Sequence, residues 1–304
     1  MTFRQMPTPF TRADLAARKI TSYALQHDPR YIQMVHGVWI DSTEDIEAPT
    51  PVWAGAEWQR VATQLRGFRL RRPDVAGTFW TAARLYGLPM PNRIRDQDLH
   101  VAGDTACTRV NMRQVILHRH RQLKQIDFFD LQLVTVPHLL VDLGSHLSLL
   151  ELVQFGDAVV SKRFGGPKTT VESLHTELST RRQVRSRRRI EKAFSLIRLT
   201  VDSPRETWLR LWLIDNGFPE PVVHPRVLCR IKNVILQPDL GYPELKLAIE
   251  YEGDHHRSSE GQFNTDIERQ QLLEAEGWTV LRVTKTTDMA TFGKLLDTHL
   301  NNPA

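Results

Sequence analysis

Two spacings of apolar residues alternate along this chain. Helical spacing marks "GAEWQRVATQL" and "TFWTAARLYGLP", the latter stopped by Gly87 and Pro89. It returns in "PHLLVDLGSHLSLLELVQFGDAVVS", which predicts one or two apolar helices broken near Gly144. Strand-like runs fall at "DLHVA", "VILHRH" and "LQLVTV". Near the start, Thr11 is an N-cap for a helix in "RADLAARK", and Thr21 starts a second short helix in "TSYALQ". "YIQMVHGVWI" then predicts two short strands turning at His36 and Gly37. From about 180 an arginine-rich helix is expected to continue through "IEKAFSLIRL". Ser203 and Pro204 open the next helix as N-cap and first helical residue, and Asn216 and Gly217 close it. "VVHPRVL", "VILQPDLG" and "ELKLAIEYEG" read as strands. A helix capped near Thr265 and stopped by Gly277, the strand "TVLRVT" and the helix "MATFGKLLDTHL" complete the chain.

These elements predict an α/β protein in four stretches. Residues 1–50 have the order helix, turn, helix, hairpin, that of a winged helix-turn-helix, which can present its second helix to a major groove. The same order also serves structural or protein-binding roles. Residues 51–178 mix helix and strand, residues 179–200 form a basic linker helix, and residues 201–304 form an α/β unit whose helices can cover both faces of a sheet. Two domains are the leading count for 304 residues.

Composition narrows the class. The only cysteines, Cys107 and Cys229, are far apart and form no CxxC pair, which argues against a disulfide framework and a zinc ribbon. No apolar run approaches the ~20 residues of a membrane span, and the first residues lack the apolar stretch of a signal peptide, so a cytoplasmic protein with no membrane partner is expected. Lys plus Arg exceed Asp plus Glu by 40 to 35. The excess is clustered: Arg181, Arg182, Arg185, Arg187, Arg188 and Arg189 lie close together. Such a block can follow a phosphate backbone, with Arg185, Arg187, Arg188 and Arg189 as candidate nucleic-acid contacts, or it can be a solvated linking helix. His118 and His120 alternate on a strand, which suits a pair of ligands or a basic strand face; the basic face is the leading reading, because no Cys or acidic residue lies nearby in the sequence.

One stretch carries more chemistry. "QPDLGYPELKLAIEYEGDHH" folds as a hairpin about Gly241, Tyr242, Pro243 and Glu244, which sets Asp239 almost opposite Glu250. Opposed residues on antiparallel strands share a face, with Cβ atoms ~5 Å apart. Glu252, two positions on, shares that face, while Leu247, Ile249 and Tyr251 point to the other. Three unpaired carboxylates this close repel, and a divalent cation resolves the conflict. The other reading is a salt-bridged surface hairpin, with Lys246 or nearby arginines as partners.

Pro238-Asp239, then Glu250-Tyr251-Glu252, resembles the PD-(D/E)xK nuclease signature. The flanking residues resemble the branch of very-short-patch mismatch-repair endonucleases: Ser203, Pro204, Glu206 and Arg210 before the hairpin, Gly253 and His256 after it, then Asp266, Arg269, Leu273, Gly277, Trp278, Arg282 and Thr284. The match spans about 200 to 300. It implies a restriction-endonuclease-like sheet flanked by helices, and a DNA endonuclease in which Asp239 and Glu250 bind Mg²⁺, with Mn²⁺ as a substitute. Glu206, Glu252 and His256 would complete the catalytic set. Glu252 stands where the wider superfamily has lysine, and His256 could supply the missing cation. His255 is the less favoured neighbour. Asp266 and Arg269, at i and i+3, suit a structural ion pair.

"FTRADL", "HGVWI", "TAARLYGLP" and "TVPHLLVDL" resemble, more loosely, the AbiEi-like antitoxins of abortive-infection systems, in which a winged helix-turn-helix precedes an α/β region and binds promoter DNA. Residues 51–178 would be that α/β region. The expected protein is a DNA-acting endonuclease of phage defence or DNA repair. The alternative is a DNA-binding regulator with a nuclease fold that does not cut. RNA is a weaker substrate candidate, since no aromatic RNP run is present. Homodimerisation and a further protein partner stay open.

Overall fold

The computed structural model describes residues 2–107, 109–110, 112–162, 166–252 and 260–301, with 260–266 described by backbone alone. The chain is mixed α/β and divides into two compact units, one up to Ile197 and one from Arg198 onward. No helix among the described residues is long and apolar enough to cross a membrane.

The first unit opens with β1 (Thr2–Pro7), β2 (Phe10–Thr11), α1 (Ser22–His27), β3 (Tyr31–Val35), β4 (Val38–Asp41) and β5 (Asp45–Thr50). β1 pairs antiparallel with β5, and β2, β4 and β3 form a small sheet in that order. Phe10, Leu25, Tyr31 and Trp39 bury themselves together under this sheet and α1. Thr21 caps α1 as expected, its hydroxyl accepting from Ala24 N–H. The helix expected over "RADLAARK" is only a 3₁₀ turn, Arg12–Asp14. The Asp14 carboxylate folds back to accept from the Thr11 N–H and hydroxyl. Lys19 then takes a left-handed backbone, φ 55°, and the segment leaves the helical path.

The rest of this unit comprises α2 (Ala56–Arg71), β6 (Ala76–Gly77), α3 (Phe79–Leu85), β7 (Leu99–Asp104), β8 (Val115–His120), β9 (Gln125–Phe128), β10 (Leu131–Val134), α4 (Val136–Leu143), α5 (Leu149–Val160), α6 (Val171–Thr180) and α7 (Arg187–Ser195). The sheet order is β8-β7-β6-β10-β9. α4 and α5 break at Gly144, as the sequence predicts.

Two expectations fail here. The basic linker helix over 179–200 is not continuous. Residues 181–186 leave helical geometry, Ser186 is left-handed (φ 59°), and α7 begins only at Arg187. Nor does α7 link units: Ile190, Ala193 and Phe194, at i, i+3 and i+4, are buried, and Ile190 lies over Gly144. The arginines divide accordingly. Arg181 grips Asp142 at 2.5 Å and Glu177 at 2.8 Å. Arg187 donates to the carbonyls of Leu178 and Arg181, and Arg189 donates to the Leu147 carbonyl. Arg182, Arg185 and Arg188 are exposed.

The second failure is the basic face on β8. His118 stacks on Phe79 with ring centroids 3.9 Å apart and shares a 2.9 Å hydrogen bond with His100. His120 meets His138 and Asp142. Burial and the neighbouring histidines push the His118 pKa down to about 3, so its ring is neutral. The acidic partners missing from the adjacent sequence arrive from other elements. Asp142 comes from α4, and Asp96 reaches His118 through His100.

The second unit contains α8 (Pro204–Asp215), β11 (Val222–Val223), β12 (Val227–Cys229), β13 (Val234–Leu236), β14 (Leu240–Tyr242), β15 (Leu247–Glu252), α9 (Glu260–Ala275), β16 (Thr279–Thr284) and α10 (Met289–Asn301). Its sheet runs β11-β14-β15-β16, antiparallel through the hairpin and parallel between β15 and β16. Leu247 and Ile249 face Leu209 and Leu213 of α8 and Phe292 and Leu296 of α10. Ala248, on the other face, packs with Leu273 of α9 and Trp278. Helices therefore cover both faces, as the pattern requires. Ser203 caps α8 with Pro204 following, and Gly217 adopts φ 82° past its end. α9 starts at Glu260 rather than near Thr265.

Candidate functional site

The hairpin that the sequence predicts is present, with its turn further on. Leu240, Gly241 and Tyr242 pair with Ile249, Ala248 and Leu247, and one further step in this register sets Asp239 opposite Glu250. The turn is a 3₁₀ segment, Pro243–Leu245, closed by Lys246 in a left-handed conformation, φ 47°. Gly241 belongs to the strand instead. A Cβ there would lie 2.7 Å from the Leu247 carbonyl oxygen, so close strand approach accounts for the glycine.

Asp239 is held from both strands. Its carbonyl accepts from His224 N–H at 3.0 Å, and its Oδ2 accepts from Tyr251 N–H at 2.8 Å. Burial raises its pKa to about 6 against the pull of the Tyr251 bond, and the nearby carboxylates of Glu206 and Glu250 add to the rise. Glu206 comes from the first turn of α8. Its N–H donates to Ser203 Oγ, and its Oε2 accepts from Asp202 N–H at 2.9 Å. The cap therefore fixes where this acid points. His224 Nε2 lies 3.2 Å from Glu206 Oε2. Burial works to raise the Glu206 pKa, but the His224, Asp202 and Ser203 bonds outweigh it and hold the acid below its ordinary value. Glu206 in turn raises His224 above the usual imidazole pKa, against burial.

Glu206, His224 and Asp239 thus converge, each offering one ligand atom within 4.8 Å of the others. Glu250 stands at the edge of this group. It is close enough to raise the Asp239 pKa, while its Oε1 accepts from Arg269 Nε at 3.1 Å. Glu252 makes an ion pair with Arg282 of β16. The salt-bridged reading of the hairpin therefore describes Glu250 and Glu252, with arginines as partners; Lys246 donates to the Glu276 carbonyl. His256, His255 and Gly253 lie outside the described residues, as does the side chain of Asp266.

Sequence reasoning missed His224. It sits between short β11 and Pro225 in a run that reads as strand, and the residue before proline is normally extended. Its left-handed backbone, φ 48°, departs from that rule. The local signal was a histidine interrupting a strand at a proline. Its partner Glu206 lies on another element.

A raised histidine pKa has a definite sign. The His224–Glu206 pair contributes its full stability below the unfolded value near 6.5, and that contribution fades as pH rises through the higher folded value. In an NMR titration the His224 ring should ionise above ~6.5. Glu206→Gln should lower that midpoint, and an unmoved midpoint would rule out the pair as its cause. No family model matches this chain, and neither a curated protein nor a solved structure matches it.

Proposed function

We propose that the second unit is a Mg²⁺-dependent DNA endonuclease. The observation that carries this reading is Asp239: a half-buried carboxylate at the end of a hairpin, facing Glu206 and His224 and opposite Glu250. The donor set fits a divalent cation. Carboxylate oxygens from two elements converge; burial and then the neighbouring carboxylates raise the Asp239 pKa, and a cation would offset both by stabilising the ionised form. Asp239 and Glu206 would hold it, with Glu250 completing the site by its second oxygen. Bound there, Mg²⁺ would neutralise charge on the scissile phosphate and acidify a water.

The remaining roles belong to the chain. Ser203 and the Tyr251 N–H hold the two acids in position before substrate arrives. His224, whose protonated form Glu206 favours, would supply the cationic donor that the resemblance assigns to lysine and that Glu252 does not provide. The restriction-endonuclease-like sheet and the winged helix-turn-helix belong to this proposal. The strand and helix order of the second unit supports the former, and the Thr21-capped helix with its β3–β4 hairpin supports the latter. DNA is the substrate, and the exposed Arg185 and Arg188 suit its backbone.

The full chain should nick or cut plasmid and mismatched duplexes in Mg²⁺ or Mn²⁺, and Asp239→Ala should not. Undiminished cutting by that variant would remove the site. A second reading, a DNA-binding regulator that does not cut, is favoured by the arginines bound to Glu250 and Glu252. Gel shifts run beside the cleavage assay separate the two: binding without cleavage in every divalent ion selects the regulator.

A further inference from the structure

A second donor cluster lies in the first unit, and the proposed nuclease chemistry does not use it. His120 at the end of β8, His138 on α4 and Asp142 one turn later offer ligand atoms within 4.8 Å of one another. His138 Nε2 lies 3.1 Å from His120 Nδ1 and 3.5 Å from Asp142 Oδ2, and Asp142 Oδ2 lies 3.7 Å from His120 Nε2. Ligands around a tetrahedral ion with Zn–N of ~2.0–2.1 Å are about 3.3 Å apart. The two separations from His138 Nε2, 3.1 and 3.5 Å, bracket that value, and the 3.7 Å contact is made by the other His120 nitrogen, so an ion would take His120 through one nitrogen only.

Two observations beyond proximity point to a missing ligand. The side chains of His138 and Asp142 are only 4% and 9% exposed. Yet Asp142 Oδ2, His120 Nε2 and His138 Nδ1 have no hydrogen-bond partner among the described residues. Leaving buried polar atoms unsatisfied costs roughly 1–3 kcal/mol each. The proton positions sharpen the argument. His138 Nδ1 makes no well-aligned hydrogen bond, but it lies 3.3 Å from Glu177 Oε1, where a lone pair would face a carboxylate, so the proton belongs on Nδ1. Nε2 of His138 is then a lone pair directed into the cluster. It can accept from His120 Nδ1–H, but that leaves the other His120 nitrogen as a lone pair facing the Asp142 carboxylate. With the His120 proton on Nε2 instead, two imidazole lone pairs would face each other at 3.1 Å. Either tautomer leaves one lone pair unmatched, and a metal ion that takes one nitrogen of each ring and the Asp142 oxygen removes the mismatch.

The surroundings are built for it. Glu177, buried and tied to Lys124 at 2.6 Å and Arg181 at 2.8 Å, orients His138 from behind, as carboxylates do behind metal-bound histidines. Arg181 holds the other Asp142 oxygen at 2.5 Å. On the open side is a cavity of about 490 Å³ lined by Phe79, His118, His120, Asp142, His146 and Arg181, with room for a water or substrate ligand.

We propose that His120, His138 and Asp142 bind a divalent transition ion of the Zn²⁺ class, with an open coordination position facing this cavity. Nitrogen donors suit Zn²⁺, and Mg²⁺ prefers the oxygen-rich site of the second unit.

The test uses tag-free, chelator-treated full-length protein titrated with Zn²⁺ against a chromophoric chelator, and with Co²⁺ followed by visible absorption. About one ion per chain is expected at this site, with the intense bands of a four-coordinate Co²⁺ centre. His120→Ala should weaken Zn²⁺ binding by more than ~100-fold, and Glu177→Gln, which removes only the orienting acid, by ~10–100-fold. His224→Ala and Asp239→Asn should leave this ion bound, so failure of the nuclease reading and failure of this one are separate results. His120 is the deciding position because its ring lines the cavity; wild type should also gain thermal stability with Zn²⁺, and folded His120→Ala should not. Wild type taking up no Zn²⁺, unchanged uptake by His120→Ala, or loss of binding in His224→Ala alone each overturns the proposal.

Discussion

Asp239→Asn should abolish DNA cleavage and, at pH 8 without metal, make the second unit more stable than wild type. The two effects have one cause. Asp239 is half-buried against two other carboxylates, and desolvation and their charge raise its pKa from 3.8 to about 6. Between those values the folded chain binds more protons than the unfolded chain, so stability falls as pH rises through the window. Above about pH 6 the ionised carboxylate is a standing cost. A tenfold change in proton affinity corresponds to about 1.4 kcal/mol, so roughly 1–3 kcal/mol should be recovered by a neutral isostere. Asparagine can still accept from Tyr251 N–H through its side-chain oxygen and can donate to Glu206. The gain should be full above pH 6 and vanish below pH 4 or so, where wild type is itself protonated. Hydrogen exchange in the β14–β15 hairpin reads this unit separately from the other. Mg²⁺ should protect wild type and not the variant. If Asp239→Asn exchanges faster than wild type at pH 8, the carboxylate is not under strain and the cation argument loses its footing.

The largest loss of stability is expected from Arg181→Ala. This arginine sits in a block that looks uniform, yet within that block it alone bridges two buried acids, Asp142 and Glu177, whose side chains are 9% and 5% exposed. Removing one partner of a buried ion pair typically costs about 3–5 kcal/mol, because the charge left behind is neither solvated nor paired. Glu177 would keep Lys124, but Asp142 would face two histidines and nothing else charged among its described contacts. Arg188→Ala, at an exposed position, should change stability by no more than ~0.5 kcal/mol. Arg181→Lys should restore only part of the loss, since one ammonium cannot span two carboxylates as a guanidinium fork does. The network also predicts acid sensitivity. His138, Lys124 and Arg181 hold Glu177 well below the usual glutamate pKa, so its contribution is full above about 4.5 and is lost as pH falls toward the folded value. Urea denaturation of the three variants, with exchange in α4 and α6 as the local readout, checks the ranking. Equal stability of Arg181→Ala and Arg188→Ala would show that the acids are satisfied without the fork.

Local signals in the sequence were reliable where the physics was local. Ser203 and Gly217 bracket α8, Thr21 caps α1, and Gly144 separates α4 from α5. The spacing of Asp239 and Glu250 fixed a pairing register, because side chains alternate along a strand. Contacts over long separations were not legible. Arg181 meets Asp142 across 39 positions and Lys124 meets Glu177 across 53, and no local pattern marks either pair. The arginine block could not be sorted from the sequence into gripping, carbonyl-bound and exposed members. Likewise His120 read as one of two strand histidines until α4 brought His138 and Asp142 against it. Glu206 was named only through the resemblance; His224 was not named, because its role depends on a backbone conformation that the following proline argues against.

Asp239 is tied through its own carbonyl to one segment and through its carboxylate to the amide of a neighbouring strand, so its aim depends on the whole hairpin rather than on one rotamer. Peeling β15 away from β14 would therefore silence the site while most of the polypeptide stayed folded. In dilute urea, catalysis should fade ahead of the bulk spectroscopic transition, and the gap between those two midpoints would measure how firmly the hairpin is zipped.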